Sequence, residues 1–288
     1  MDIERARFNM VEQQIRPWEV LDQDVLDLLF VVRREDFVPP ASRQLAFTDM
    51  EIPLTIDGKP TGEVMLAPKV EARLLQAAAV RRHETVLEIG AGSGYMAALL
   101  AHRARRVLSC EIRPELARFA TENLSRAAVA GATVEARNGL EAAAESRWDV
   151  VVLSGSVPFV PDSLLQQLNV GGRLVAIVGE LPMMVAQLVT RVGEREFATE
   201  SLFDTVATPL VGFPRKESFR FCRARRSPEP EPCTRSSPPS SPTGSKPRMR
   251  IRPGRRRPAP GGMRPTPTSV STRRAPTSTP RSARSIRR

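Results

Sequence analysis

Apolar positions fall into two alternating patterns along this chain, and the alternation predicts its architecture. Short, largely apolar runs occupy Thr85–Ile89, Arg106–Cys110, Ala132–Ala136, Trp148–Leu153 and Arg173–Val178, the last preceded by Gly171-Gly172. Runs of that length without a polar face read as strands buried on both sides. Helical stretches lie between them. Met96–Ala101 is one; Pro114 opens a second, with Leu116, Phe119, Ala120 and Leu124 on one side; Pro161 opens a third, with Leu164, Leu165 and Leu168. Strand–helix alternation of this kind implies a doubly wound α/β fold, a mostly parallel sheet covered on both faces. Met184–Val192 and Lys216–Cys222, where Phe219 and Phe221 alternate with polar residues, read as closing strands of an antiparallel hairpin. Upstream, residues 8–33 carry two helical stretches separated near Pro17. Residues 34–66 read as irregular, with Pro39, Pro40, Pro53 and Pro60, and Pro68 opens a helix with Val70, Leu74, Ala77 and Ala78 on one side. The pattern therefore divides the chain into a helical extension with a loop (1–80), an α/β domain (81–222) and a remainder (223–288).

Charge sharpens that last boundary. The chain carries +11, but 18 of its 43 Lys and Arg and only two of its 32 acids fall in 223–288, so that segment carries +16 and residues 1–222 carry −5. The segment also holds 14 of the 26 prolines and no Leu, Phe, Tyr or Trp. A chain so poor in apolar side chains cannot offset its ordering entropy, so it is expected to be a disordered basic tail. Without aromatics to stack on bases, nucleic-acid contact is not expected of it. Its abrupt onset reads more simply as an out-of-frame or readthrough extension. The amino terminus lacks the pattern of a secretory signal, and no segment approaches the apolar length of a membrane span, so a cytoplasmic monomer with no membrane contact is expected. Cys110, Cys222 and Cys233 are too scattered for a disulfide framework or a zinc site.

The candidate chemistry sits in Val86-Leu87-Glu88-Ile89-Gly90-Ala91-Gly92-Ser93-Gly94-Tyr95, a buried strand, a glycine turn and a helix start. Glycine at alternate positions accepts positive φ and lets a ligand approach where a Cβ would clash. Glu88, charged within an apolar run, needs a partner, and the ligand is expected to supply it. Two cofactor classes fit. Gly92 to Ala97 matches the dinucleotide pattern, with Glu111 19 residues beyond Gly92 at the end of the next strand. The E-x-G-x-G-x-G spacing from Glu88 to Gly94, with some 80 residues of other sequence ahead of the first strand, moves the balance to S-adenosylmethionine.

Beyond the glycine turn, three segments carry a family likeness: Met10-Val11-Glu12-Gln13-Gln14-Ile15-Arg16-Pro17, Val32-Arg33-Arg34-Glu35-Asp36-Phe37-Val38-Pro39 and Glu51-Ile52-Pro53-Leu54. Trp148 to Ser154 and Leu164 to Leu174 extend it. Over about residues 8–221 the chain resembles the protein-L-isoaspartate O-methyltransferases. The resemblance implies a seven-stranded, Rossmann-like, S-adenosylmethionine-dependent fold with an amino-terminal extension over the site. It also implies an activity, methylation of the side carboxylate of isoaspartyl residues in damaged proteins. Glu88, Gly90, Gly92 and Gly94, with Ala91 among them, would line the methionine and ribose part of the cofactor. Glu111 would hold the ribose hydroxyls, and Asn138-Gly139 would stand beside the adenine, where the family usually has Asp-Gly. No metal is implied.

One departure bears on the acceptor. Where the family usually reads Gly-Gln-Thr-Ile-Ser, a residue and Pro, this chain has Gly62-Glu63-Val64-Met65-Leu66-Ala67-Pro68. Val64 and Leu66 replace the two hydroxyls and cannot hydrogen-bond an acceptor carboxylate. That leaves cofactor binding untouched and opens two alternatives: a related methyltransferase with another acceptor, or a non-catalytic binding protein on the same scaffold. His83 and His102 belong to no nucleophile–base set and are expected to be surface or structural residues.

Overall fold

The computed structural model describes residues 2–215. Its main sheet has seven strands in the order β5-β4-β3-β6-β7-β8-β9: β3 (Thr85–Ile89), β4 (Arg106–Glu111), β5 (Ala132–Ala136), β6 (Trp148–Val157), β7 (Leu168–Glu180), β8 (Met183–Arg191) and β9 (Phe197–Thr205). The first five pair in parallel, and β8 and β9 close the sheet antiparallel. The order reverses at β3, which pairs with β4 on one side and β6 on the other. That reversal opens a crevice at the carboxyl ends of the strands, the usual ligand position in such sheets.

The period of two distributes side chains to two cores. Val86, Val107, Val150, Val152 and Val175 face one layer with α3 (Pro68–Ala78), α4 (Tyr95–Ala101) and α5 (Pro114–Arg126); Leu87, Leu108, Val151, Leu153 and Leu174 face the other with α6 (Gly139–Ala144) and α7 (Asp162–Leu165). The predicted doubly wound, mostly parallel seven-stranded sheet is therefore present. The amino-terminal extension joins the first core through Met10, Ile15, Leu26, Leu29 and Phe37. It begins with α1 (Ile3–Asn9), runs through a π turn (Met10–Ile15) and a 3₁₀ turn carrying Pro17 (Arg16–Trp18), and continues in α2 (Gln23–Val31). Asp2 and Asp22 cap the two helices, accepting from Arg5 N and from Asp24 N and Val25 N.

Three expectations change. Residues 34–66 are not irregular: β1 (Ile52–Ile56) and β2 (Lys59–Met65) form an antiparallel hairpin. Pro53 and Pro60 masked it, since proline is compatible only with the edges and ends of strands. β8 forms its antiparallel hairpin with β9, a strand the pattern did not signal, and Lys216–Cys222 lies outside the described residues together with the proposed tail. Leu168, placed on the Pro161 helix by its spacing, instead opens β7, because α7 ends at Leu165. Among the described residues, no helix is long and apolar enough to cross a membrane.

Candidate active site

The glycine turn occupies the sheet's switch point. Gly90, Gly92 and Gly94 take φ of +95°, +52° and +83°, a region other residues rarely adopt. Their tasks differ. A Cβ on Gly90 would stand 2.7 Å from Leu210 Cδ2, one on Gly92 would reach Leu54 at 3.4 Å, and one on Gly94 would press on the Ala120 backbone of α5 at 3.1–3.2 Å. Gly90 and Gly92 thus face the crevice, and Gly94 lets helix pack on helix. Ala91 is buried inside the turn, its carbonyl accepting from Gly94 N at 2.7 Å.

One cleft gathers most of the predicted site. Val64, Gly90, Gly92, Glu111, Asn138 and Gly139 line it, joined by Glu63, Ile89, Cys110, Ile112, Ser154, Leu210 and Val211. Glu111, at the end of β4, is nearly buried and accepts from Gly92 N and Arg113 N, each at 3.0 Å. Burial raises its carboxyl above the ordinary value, and the Gly92 and Arg113 N–H groups pull the other way. Asn138 caps α6, its Oδ1 accepting from Leu140 N at 3.0 Å, which leaves its amide as a donor on the cleft wall. Gly139 is required by packing, since a Cβ there would lie 2.5 Å from Ile89 Cγ2.

Glu88 and Leu66 stand apart from the cleft wall. Glu88 is fully buried on the α3–α4 face, and its partners are serines: Ser109 Oγ donates at 2.6 Å and Ser154 Oγ at 2.7 Å. Burial pushes its carboxyl up to about 8 against those two hydrogen bonds. The expectation that a ligand partners Glu88 is therefore replaced by internal pairing with the two neighbouring strands. Ser109 sits directly opposite Glu88 in register, a pairing that only the sheet order reveals. Leu66 is buried in the first core, whereas Val64 faces the cleft. His83 and His102 are exposed, as expected.

Some cleft residues carried no sequence signal. Glu63 Oε1 accepts from Arg113 Nε at 2.9 Å, tying the hairpin to the loop after β4. Leu210 and Val211 arrive from the segment after β9, where Ser156 N donates to Thr208 O at 2.9 Å and Leu210 N to Ser156 O at 2.8 Å. Nothing in Thr208-Pro209-Leu210-Val211 alone marks it as a cleft wall.

With this geometry in place, comparison with known proteins is decisive. Residues 5–213 match the family model for protein-L-isoaspartate(D-aspartate) O-methyltransferase. The chain belongs to that family. A Methanoculleus marisnigri relative named protein-L-isoaspartate O-methyltransferase is 38% identical over 210 residues, covering 72% of this chain and 92% of its own. A Rhodopseudomonas palustris relative of the same name is 38% identical over 206 residues, covering 70% and 92%. A solved Plasmodium falciparum structure, described as an enzyme of this type in complex with S-adenosyl-L-homocysteine, has a TM-score of 0.57 at 18% identity and covers 73% of this chain and 98% of that one. At that identity the likeness concerns the fold. Within Arg33 to Pro39, Arg34 and Glu35 hold buried ion pairs with Glu71 and Arg7 and so fasten this segment to α3 and α1.

Proposed function

We propose that this chain is an S-adenosylmethionine-dependent methyltransferase acting on the carboxylate of isoaspartyl residues in proteins and peptides. The observation that carries the reading is the cleft itself: two glycines at positive φ facing a buried carboxylate across the switch point, in a chain of this family. The residues present fit the cofactor. Gly90 and Gly92 leave space that a Cβ would fill, Glu111 offers carboxylate oxygens to ribose hydroxyls, and the Asn138 amide offers a donor to a ring nitrogen of adenine. Ile89, Ile112, Leu210 and Val211 supply apolar wall.

When bound, S-adenosylmethionine supplies an electrophilic methyl group on a sulfonium. An isoaspartyl carboxylate, with a pKa near ~4, is already ionised at neutral pH, so the protein need not remove a proton from it. That agrees with a cleft whose lining contains no histidine or lysine. The chain's task is alignment and exclusion of water, which weakens solvation of the attacking carboxylate. Glu63 would oppose an anionic acceptor, but its ion pair with Arg113 offsets the charge.

Val64 is the observation that favours a second reading, a related methyltransferase with a different acceptor. A methyl-lined wall gives a carboxylate no hydrogen bond, so a less polar acceptor would lose less there. Calorimetry with S-adenosylhomocysteine and with NAD tests the cofactor class. Binding of the first alone is expected; binding of NAD alone would exclude a methyltransferase.

A further inference from the structure

The segment Arg34–Phe37 touches both walls of the cleft from behind. Arg34 is fully buried and pairs with Glu71 of α3, while its Nη2 donates to the Leu66 carbonyl at 2.7 Å. Its guanidinium lies 5.4 Å from the ring centroid of Tyr95, the first residue of α4 after the glycine turn. Phe37 stacks on the same ring at 5.5 Å, tilted by 59°. Asn123 of α5 completes the link, donating to Ser93 O of the turn at 2.9 Å and to Phe37 O at 3.4 Å.

We propose that Arg34 is a positioning residue, holding the Leu66 carbonyl, and through it the Val64 wall, in register with the glycine turn. The proposal rests on the methyltransferase reading above for its effect on catalysis. Its chemistry suits the task. A planar guanidinium donates in two directions at once, to Glu71 and to a carbonyl, and a lysine ammonium on one stem cannot match that fork. Leu66 lies outside both β2 and α3, so its carbonyl has no ladder or helix to hold it, and it is too buried for bulk water to replace Arg34. Glu71 fixes the guanidinium, and Tyr95 supplies the surface over which it lies. In-line transfer is sensitive to acceptor displacement on the ångström scale, so a loosened wall is read in the acceptor's kinetics.

The test is Arg34→Lys in the full chain, compared with wild type at matched folded fractions. The acceptor KM for an isoaspartyl peptide is expected to rise tenfold or more, while the Kd for S-adenosylhomocysteine stays within threefold. A purely structural role would lower the apparent kcat through lost folded enzyme and leave KM in place. Hydrogen exchange is the second arm and needs no turnover. Amides of residues 65–67 are expected to exchange at least tenfold faster in the variant, with those of residues 86–89 unchanged. If wild type transfers no methyl to the isoaspartyl peptide, the functional reading fails, and the exchange arm still decides the positioning role. Should Arg34→Lys not fold, Glu71→Gln keeps Arg34 while removing its opposing charge, and at least a threefold change is expected in both arms. Unchanged KM and unchanged exchange at 65–67 in a folded variant would overturn the proposal.

Discussion

Val64 and Leu66, two residues apart in the chain, have separate physical roles. Val64 faces the cleft and Leu66 faces the core, so restoring a hydroxyl at each has opposite consequences. Val64→Thr is nearly isosteric and adds a donor on the acceptor wall. It is expected to raise kcat/KM on an isoaspartyl peptide by up to about tenfold, the equivalent of one hydrogen bond worth ~1.4 kcal/mol. Leu66→Ser removes a buried side chain and buries a hydroxyl, and is expected to cost about 2–5 kcal/mol in urea denaturation with no gain in rate. A faster enzyme from Leu66→Ser alone would show that its side chain reaches the acceptor. Gly92→Val is expected to weaken S-adenosylhomocysteine binding by about a hundredfold or more by calorimetry, because a branched side chain at φ +52° strains the turn and fills the crevice. Undiminished affinity in the folded variant would remove Gly92 from the site.

At the scale of the element, β3 was readable from sequence to the residue, because its five residues lie between the charged run Arg81–Glu84 and the glycine turn. The hairpin β1–β2 was hidden by its prolines, and β9 by its exposure as an edge strand, since five of its nine residues are exposed and four of those are consecutive, which leaves no period of two to read. The glycine turn and Glu111 were legible because spacing within one βαβ unit is local. The pairing of Glu88 with Ser109 and Ser154 was not, because it depends on which strands become neighbours. That pairing has a pH consequence. In the folded protein Glu88 titrates near 8, against 4.5 as its ordinary value, so between those pH values the folded state holds a proton that the unfolded chain releases. Its contribution is fully present below about 4.5 and is lost as pH rises toward 8. Glu88→Gln, which keeps the shape without the proton, is expected to flatten the decline of stability across that window and to be more stable than wild type at pH 8. Denaturation at pH 5 and pH 8 checks this; parallel curves for the two proteins would mean that Glu88 is ionised throughout.

Across the molecule, two buried ion pairs tie the amino-terminal extension together, Arg7–Glu35 joining α1 to the turn at Arg34–Asp36 and Arg34–Glu71 joining that turn to α3. Deleting one partner strands the other charge in the core, so Arg7→Ala is expected to cost about 3–5 kcal/mol, whereas replacing both Arg7 and Glu35 by apolar residues of similar volume is expected to cost far less. A small effect of Arg7→Ala would show that water reaches Glu35. The hairpin and the segment after β9 form two walls of a cofactor crevice made by β3, β4 and β6. The most direct measurement is transfer of labelled methyl from S-adenosylmethionine by the full chain to an isoaspartyl peptide, set beside its normal aspartyl twin and the Glu111→Ala variant. Base-labile label on the isoaspartyl peptide, none above background on the twin, and strong loss with Glu111→Ala are predicted. Equal labelling of the two peptides, or none on either by an enzyme that binds the cofactor, would contradict the account.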